Sequence, residues 1–103
     1  MDFDWDEANR GHIAQHGVTA DEAEQVIANR PVDTKVQLRG DEERYLQVGE
    51  TDTGRILVVV TTWRGSKVRV VTAFAANQRM RTFYEEHKAQ SHGKKDEGPE
   101  VSE

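Results

Sequence analysis

The groups in this chain that could move protons or hold phosphates are histidines, carboxylates, tyrosines, lysines and arginines. There is no cysteine, which excludes disulfides, thiolate metal sites and a thiol nucleophile. His16 is the first candidate: an imidazole titrates near neutral pH, and a place at a helix C-terminus favours its cation. The same place, just before Gly17, equally suits a side chain that only caps terminal carbonyls. Arg64 and Arg69 flank the turn Arg64-Gly65-Ser66, so both could hold non-bridging phosphate oxygens through charge-assisted bonds. Pairing with acidic residues from the N-terminal half is the alternative for both. Tyr84 and Glu85 could donate or accept a proton, although Tyr84 shares a helical stripe with Met80 as a core residue would. Arg79 and Arg81 are phosphate contacts or solvated charges. His12 and His16 have the spacing of two imidazole ligands, but no third ligand joins them, and no metal site is expected. The glycines sit at turns and form no phosphate-binding loop, so no cofactor is expected.

The elements that must position these groups follow from local signals. Asp6 can N-cap a helix toward His16, ended by Gly17, and Thr19 with Glu22 forms a capping box for a second helix stopped before Pro31. The period then changes: 34–38, 44–49, 55–63 and 67–74 are rich in β-branched and aromatic residues, joined by Gly40-Asp41, Thr51-Asp52-Thr53-Gly54 and Arg64-Gly65-Ser66. The run Ile56-Leu57-Val58-Val59-Val60 is apolar at every position, which suits a central strand covered on both faces. The N-terminal helices supply one cover. A last helix over 77–88, with Met80, Phe83 and Tyr84 on one stripe, supplies the other. The expected fold is α+β: two N-terminal helices, a four-stranded, mainly antiparallel sheet and a C-terminal helix. Residues 1–89 form one domain, and 90–103, without apolar periodicity, read as a disordered tail.

At 103 residues, with 35% hydrophobic and 32% charged, the chain supports one small core. No apolar run reaches the roughly 20 residues that cross a bilayer, and Met1-Asp2-Phe3-Asp4 lacks signal-peptide character, so the cytoplasm is the expected location. The net charge of -5 hides a segregation: 1–54 holds 5 basic and 13 acidic residues, and 55–88 holds 7 and 2. A local basic face can hold a phosphate backbone whatever the total, because screening over about 8 Å lets nearby charges dominate.

The chain resembles the BrnT toxins, ribonuclease partners in bacterial type II toxin-antitoxin pairs. The resemblance rests on Phe3-Asp4-Trp5-Asp6, His16-Gly17-Val18, Glu42-Glu43-Arg44-Tyr45, Gly54-Arg55 with the apolar run, Arg64-Gly65, Val68-Arg69-Val70-Val71-Thr72-Ala73 and Tyr84-Glu85. It implies a small RelE-like fold and a metal-free endoribonuclease neutralised by a cognate antitoxin. Such cleavage needs a base for the ribose 2′-hydroxyl, a cation beside the phosphorane and an acid for the leaving 5′-oxygen. His16, Arg64, Arg69 and Tyr84 are the expected catalytic set, with Arg44, Arg79 and Arg81 contacting RNA. The implied partner is a BrnA-like ribbon-helix-helix antitoxin, in a complex with two copies of each chain that reaches DNA only through the antitoxin; no membrane is involved. The chain departs from the family pattern at Phe74 and Met80, where the family places Arg and Glu. Asn9, His12 and Gln15 likewise replace Lys, Asn and Lys. The alternative is therefore a homologue that binds an antitoxin in a repressor complex and has lost cleavage.

Overall fold

The computed structural model describes residues 1–97, with side chains described through residue 89. Helix α1, Glu7–Ala14, begins at Asp6, whose carboxylate accepts the Asn9 N–H while the Asn9 side chain accepts the Asp6 N–H. It ends in a pair of Schellman bonds, Val18 N–H to Ile13 O and Gly17 N–H to Ala14 O, with Gly17 at φ 75°. Helix α2, Ala20–Ala28, is opened by the Thr19–Glu22 capping box expected from the sequence.

Four strands follow: β1 Val32–Arg39, β2 Glu42–Glu50, β3 Ile56–Arg64 and β4 Lys67–Ala75. They pair in chain order, each antiparallel to the next. Gly40, Gly54 and Gly65 take the positive φ that these turns demand. On the outer edge of β4, Phe3 makes a parallel bridge to Val68, so the chain's start shields that edge. The free edge of β1 is left open among the described residues.

Both faces of β3 are buried, as its apolar run requires. Leu57 and Val59 pack on one face with Ile13, Val18, Ala23 and Val26 from the α1–α2 layer. Val58 and Val60 face the other way, with Val48, Ala76 and Tyr84 beneath α3. Close approach fixes α2 on β2: a Cβ on Gly49 would lie 3.0 Å from Pro31 Cβ and 3.1 Å from Val26 Cγ1.

Helix α3 runs over Gln78–Glu97, beyond the end expected near Lys88. The stretch after Lys88 has no apolar stripe, but it is rich in helix-favouring Ala, Gln, Lys and Glu and meets no proline before Pro99. The expected disordered tail thus begins as helix through residue 97, and its remainder, 98–103, lies outside the described residues. Among the described residues no helix is long and apolar enough to cross a membrane.

Asn9 joins the helix layer to the sheet. It is 4% exposed, and its Nδ2 donates to Asp4 O at 3.0 Å and Val70 O at 3.1 Å while its Oδ1 caps α1. Asn9→Ala strands buried carbonyls and removes a cap, so chemical denaturation is expected to show a loss of about 2–4 kcal/mol.

Candidate functional site

Strand alternation divides the hairpin end of the sheet into two unlike faces. On the α3 side the core closes at the pair Leu46 and Val60. Beyond it the same face continues with Arg44, Thr62 and Arg64, and cross-strand register adds Arg39, Lys67 and Arg69. Five basic side chains therefore share one face past the edge of the helix. Arg44 and Arg64 converge on a single carboxylate: Glu42 Oε1 accepts from Arg44 Nε and its Oε2 from Arg64 Nη1, both at 3.0 Å. Such part-exposed pairs contribute little stability.

Arg69 is held differently. Its guanidinium donates to Asp6 at 3.1 and 3.3 Å and to Asp4 at 3.4 Å, and its side chain is 17% exposed. The bond from Arg69, helped by the Asn9 N–H, holds the Asp6 carboxyl below the usual carboxylate range, and the Asp6 bond raises Arg69. A depressed folded-state value means the stabilisation is present above the ordinary carboxylate range and is lost as pH falls through the lower folded value. Asp6→Asn should accordingly flatten the acid limb of a stability-against-pH curve and leave its shape near neutrality unchanged.

His16 sits at the far end of α1 from Asp6, about 15 Å away by helix rise. Its ring meets His12 edge-on, with centroids 5.2 Å apart, and Phe74 at 6.2 Å. Phe74 also lines a groove of about 480 Å³ under the first turn of α3, with Lys35, Leu46, Arg79, Met80 and Phe83. Phe74 and Met80, the two positions where the resemblance implies Arg and Glu, thus share one cleft. Arg79 is exposed at its rim. Arg81 instead caps the β4–α3 junction, donating to Ala76 O at 2.9 Å and to Gln78 Oε1 at 2.8 Å.

Tyr84 is 0% exposed, packed among Val32, Val48 and Val58, and its hydroxyl has no hydrogen-bond partner among the described residues. Burial pushes that hydroxyl's titration up, and no substrate reaches it through the packed core. Tyr84→Phe removes an unsatisfied polar atom and keeps the ring, so stability should stay level or rise by up to about 1 kcal/mol, with any RNA cleavage unchanged.

The structure thus gathers Arg44 and Arg64, puts Arg69 on the same face but ties it to the N-terminal acids, and sets His16 apart beside Phe74. Arg39, Lys67 and Glu42 were not singled out in the sequence, although strand alternation from Arg44 and the register at the Gly40 and Gly65 turns place them. Among the described residues no three histidines or carboxylates converge as metal ligands.

The opposite face of the same hairpin end is apolar. Val36, Leu38, Tyr45 and Trp63 share it, with Val36 57%, Leu38 69% and Trp63 54% exposed, and Met1 lies alongside. The charged residues that the register puts there are Asp33 and Glu43.

Comparison with known proteins agrees with this architecture. Residues 5–79 match the family model described as the ribonuclease toxin, BrnT, of type II toxin-antitoxin systems. The 1.1 Å crystal structure of the Brucella abortus ribonuclease toxin, BrnT, superposes with a TM-score of 0.56 at 28% identity, covering 76% of this chain and 99% of that one. No curated protein matches. With a three-helix, four-stranded α+β fold and a family match over most of its length, the chain belongs to the BrnT ribonuclease toxins of type II toxin-antitoxin systems.

Proposed function

We propose that the chain is a metal-independent endoribonuclease acting in the cytoplasm on single-stranded RNA and silenced by a cognate antitoxin. The observation that carries this reading is the basic face: Arg39, Arg44, Arg64, Lys67 and Arg69 lie on one side of the sheet end, with the groove under α3 beside it. Phosphates along that face would be held by guanidinium and ammonium groups, which is how sequence-independent affinity for a polyanion arises. Arg44, Arg64 and Arg79 are the RNA contacts in this reading, Arg69 fixes the edge of the face, and His16 supplies proton transfer.

The apolar face opposite supports the antitoxin half. Its exposed side chains and its carboxylates Asp33 and Glu43 suit a basic, amphipathic partner segment and repel RNA, so the two ligands occupy different faces. A BrnA-like ribbon-helix-helix antitoxin, itself the DNA-binding component, fits that chemistry, in a complex of two copies of each chain.

One observation favours a second reading. Phe74 and Met80 make the groove apolar where the family pattern has Arg and Glu, which fits a homologue that kept the antitoxin surface and lost cleavage. Induced expression in a bacterial host, following growth and RNA integrity, separates the two. Growth arrest with RNA loss, reproduced by purified protein in excess EDTA, is the expected result. Healthy growth with soluble, folded protein, and toxicity gained by Phe74→Arg/Met80→Glu, would establish the binding-only reading instead.

A further inference from the structure

Outside the basic face, the cluster that the reading above uses only in part is the exposed pair of imidazoles at the end of α1. We propose that His12 and His16 are the acid–base couple of RNA transphosphorylation, acting on a nucleotide whose base stacks on Phe74. This rests on the ribonuclease reading above and goes beyond it by adding His12 and the seat of the scissile link.

Three features carry it. Both rings are solvent-exposed, lie 5.2 Å apart and meet edge-on at 76°, so neither blankets the other. A base and an acid must each come within about 3 Å of one apical oxygen of the same phosphorane, which two neighbouring exposed rings can do at one phosphate. Phe74, 37% exposed and 6.2 Å from His16, offers a ring to an unstacked base, and such stacking holds single-stranded RNA. Arg79, which lines the same groove as Phe74, is exposed and makes no ion pair among the described residues, a cation available to the phosphorane oxygens.

The step balances without a co-reactant. One neutral imidazole takes the 2′-hydroxyl proton as the 2′-oxygen bonds to phosphorus. The other, as imidazolium, gives its proton to the 5′-oxygen as the P–O5′ bond breaks, leaving a 2′,3′-cyclic phosphate and a 5′-hydroxyl.

The test uses intact protein, His12→Asn and His16→Asn, on a short RNA whose cut site has been mapped with the intact protein. A second RNA carries sulfur in place of the 5′-bridging oxygen at that site, a leaving group that needs no proton. Each variant should melt with the intact protein and cleave the oxygen RNA about 100-fold more slowly. One variant should regain most of its rate on the sulfur RNA, which marks the missing imidazole as the acid, and the other should not. Cleavage within about tenfold of normal in His12→Asn would overturn the pair while leaving the ribonuclease reading intact. Equal losses on both RNAs in both variants would also overturn it, because the imidazoles would then be positioning groups. RNA left uncut by the intact protein would remove this proposal together with the reading beneath it.

Discussion

Reversing two charges together, Arg44→Glu with Arg64→Glu, is expected to lower the affinity for single-stranded RNA by about 100-fold or more at low salt. The two guanidiniums share Glu42, at 3.0 Å each, so the intact cluster carries one net positive charge and the reversed one three negatives. Each phosphate that goes unneutralised takes about 0.7 from the slope of log affinity against log salt, so the slope should fall by about 1.4. Fluorescence anisotropy of a labelled RNA across a salt series measures both quantities. Fold stability should move little, since both side chains lie on the surface and such pairs contribute about 0–1 kcal/mol. Arg69→Ala should behave otherwise: it releases Asp4 and Asp6, which hold the parallel bridge along β4, and so should reduce melting temperature along with RNA affinity. An unchanged salt slope in the double variant would mean that RNA lies elsewhere on the molecule.

What was legible in the sequence was whatever depends on neighbours in the chain. Asp6 and Thr19 reported their helices because a cap acts within three residues. The run from Ile56 to Val60 announced a doubly covered strand because burial leaves no polar alternation. Tyr84 was ambiguous for the same reason: its stripe with Met80 pointed inward, and the fold buries it. That Arg64 and Arg69 could pair with acids of the N-terminal half was legible, and both do; which carboxylate each meets was not. Glu42 meets Arg64 across 22 residues, and Asp6 meets Arg69 across 63; such partners are selected by strand register and by the N-terminal segment folding back on β4, neither of which leaves a local pattern. Asn9 is the sharpest instance. As one polar residue on a helix it reads as a surface side chain, yet it is buried and ties two carbonyls because α1 lies against β4.

The largest loss of stability is expected at Leu57. It lies on the central strand, fully buried, in the cluster where Ile13, Val18, Ala23 and Val26 of the α1–α2 layer meet Val70 and Ala73 of β4. Leu57→Ala removes three carbons from the core beside its register partner Gly49, which has no side chain to fill the space. The expected cost is about 2–5 kcal/mol, which a domain of this size registers as a fall in melting temperature of about 10–30 °C. A domain with a total of about 5–15 kcal/mol comes near its unfolding threshold on that change alone. Leu38→Ala is the contrasting measurement: the same truncation at a side chain 69% exposed should alter stability by no more than about 0.5 kcal/mol. If the apolar face of the hairpin end receives the antitoxin, Leu38→Ala should instead weaken neutralisation in a growth assay while leaving toxicity whole. The two leucines therefore separate what the sheet buries to fold from what it leaves exposed to bind.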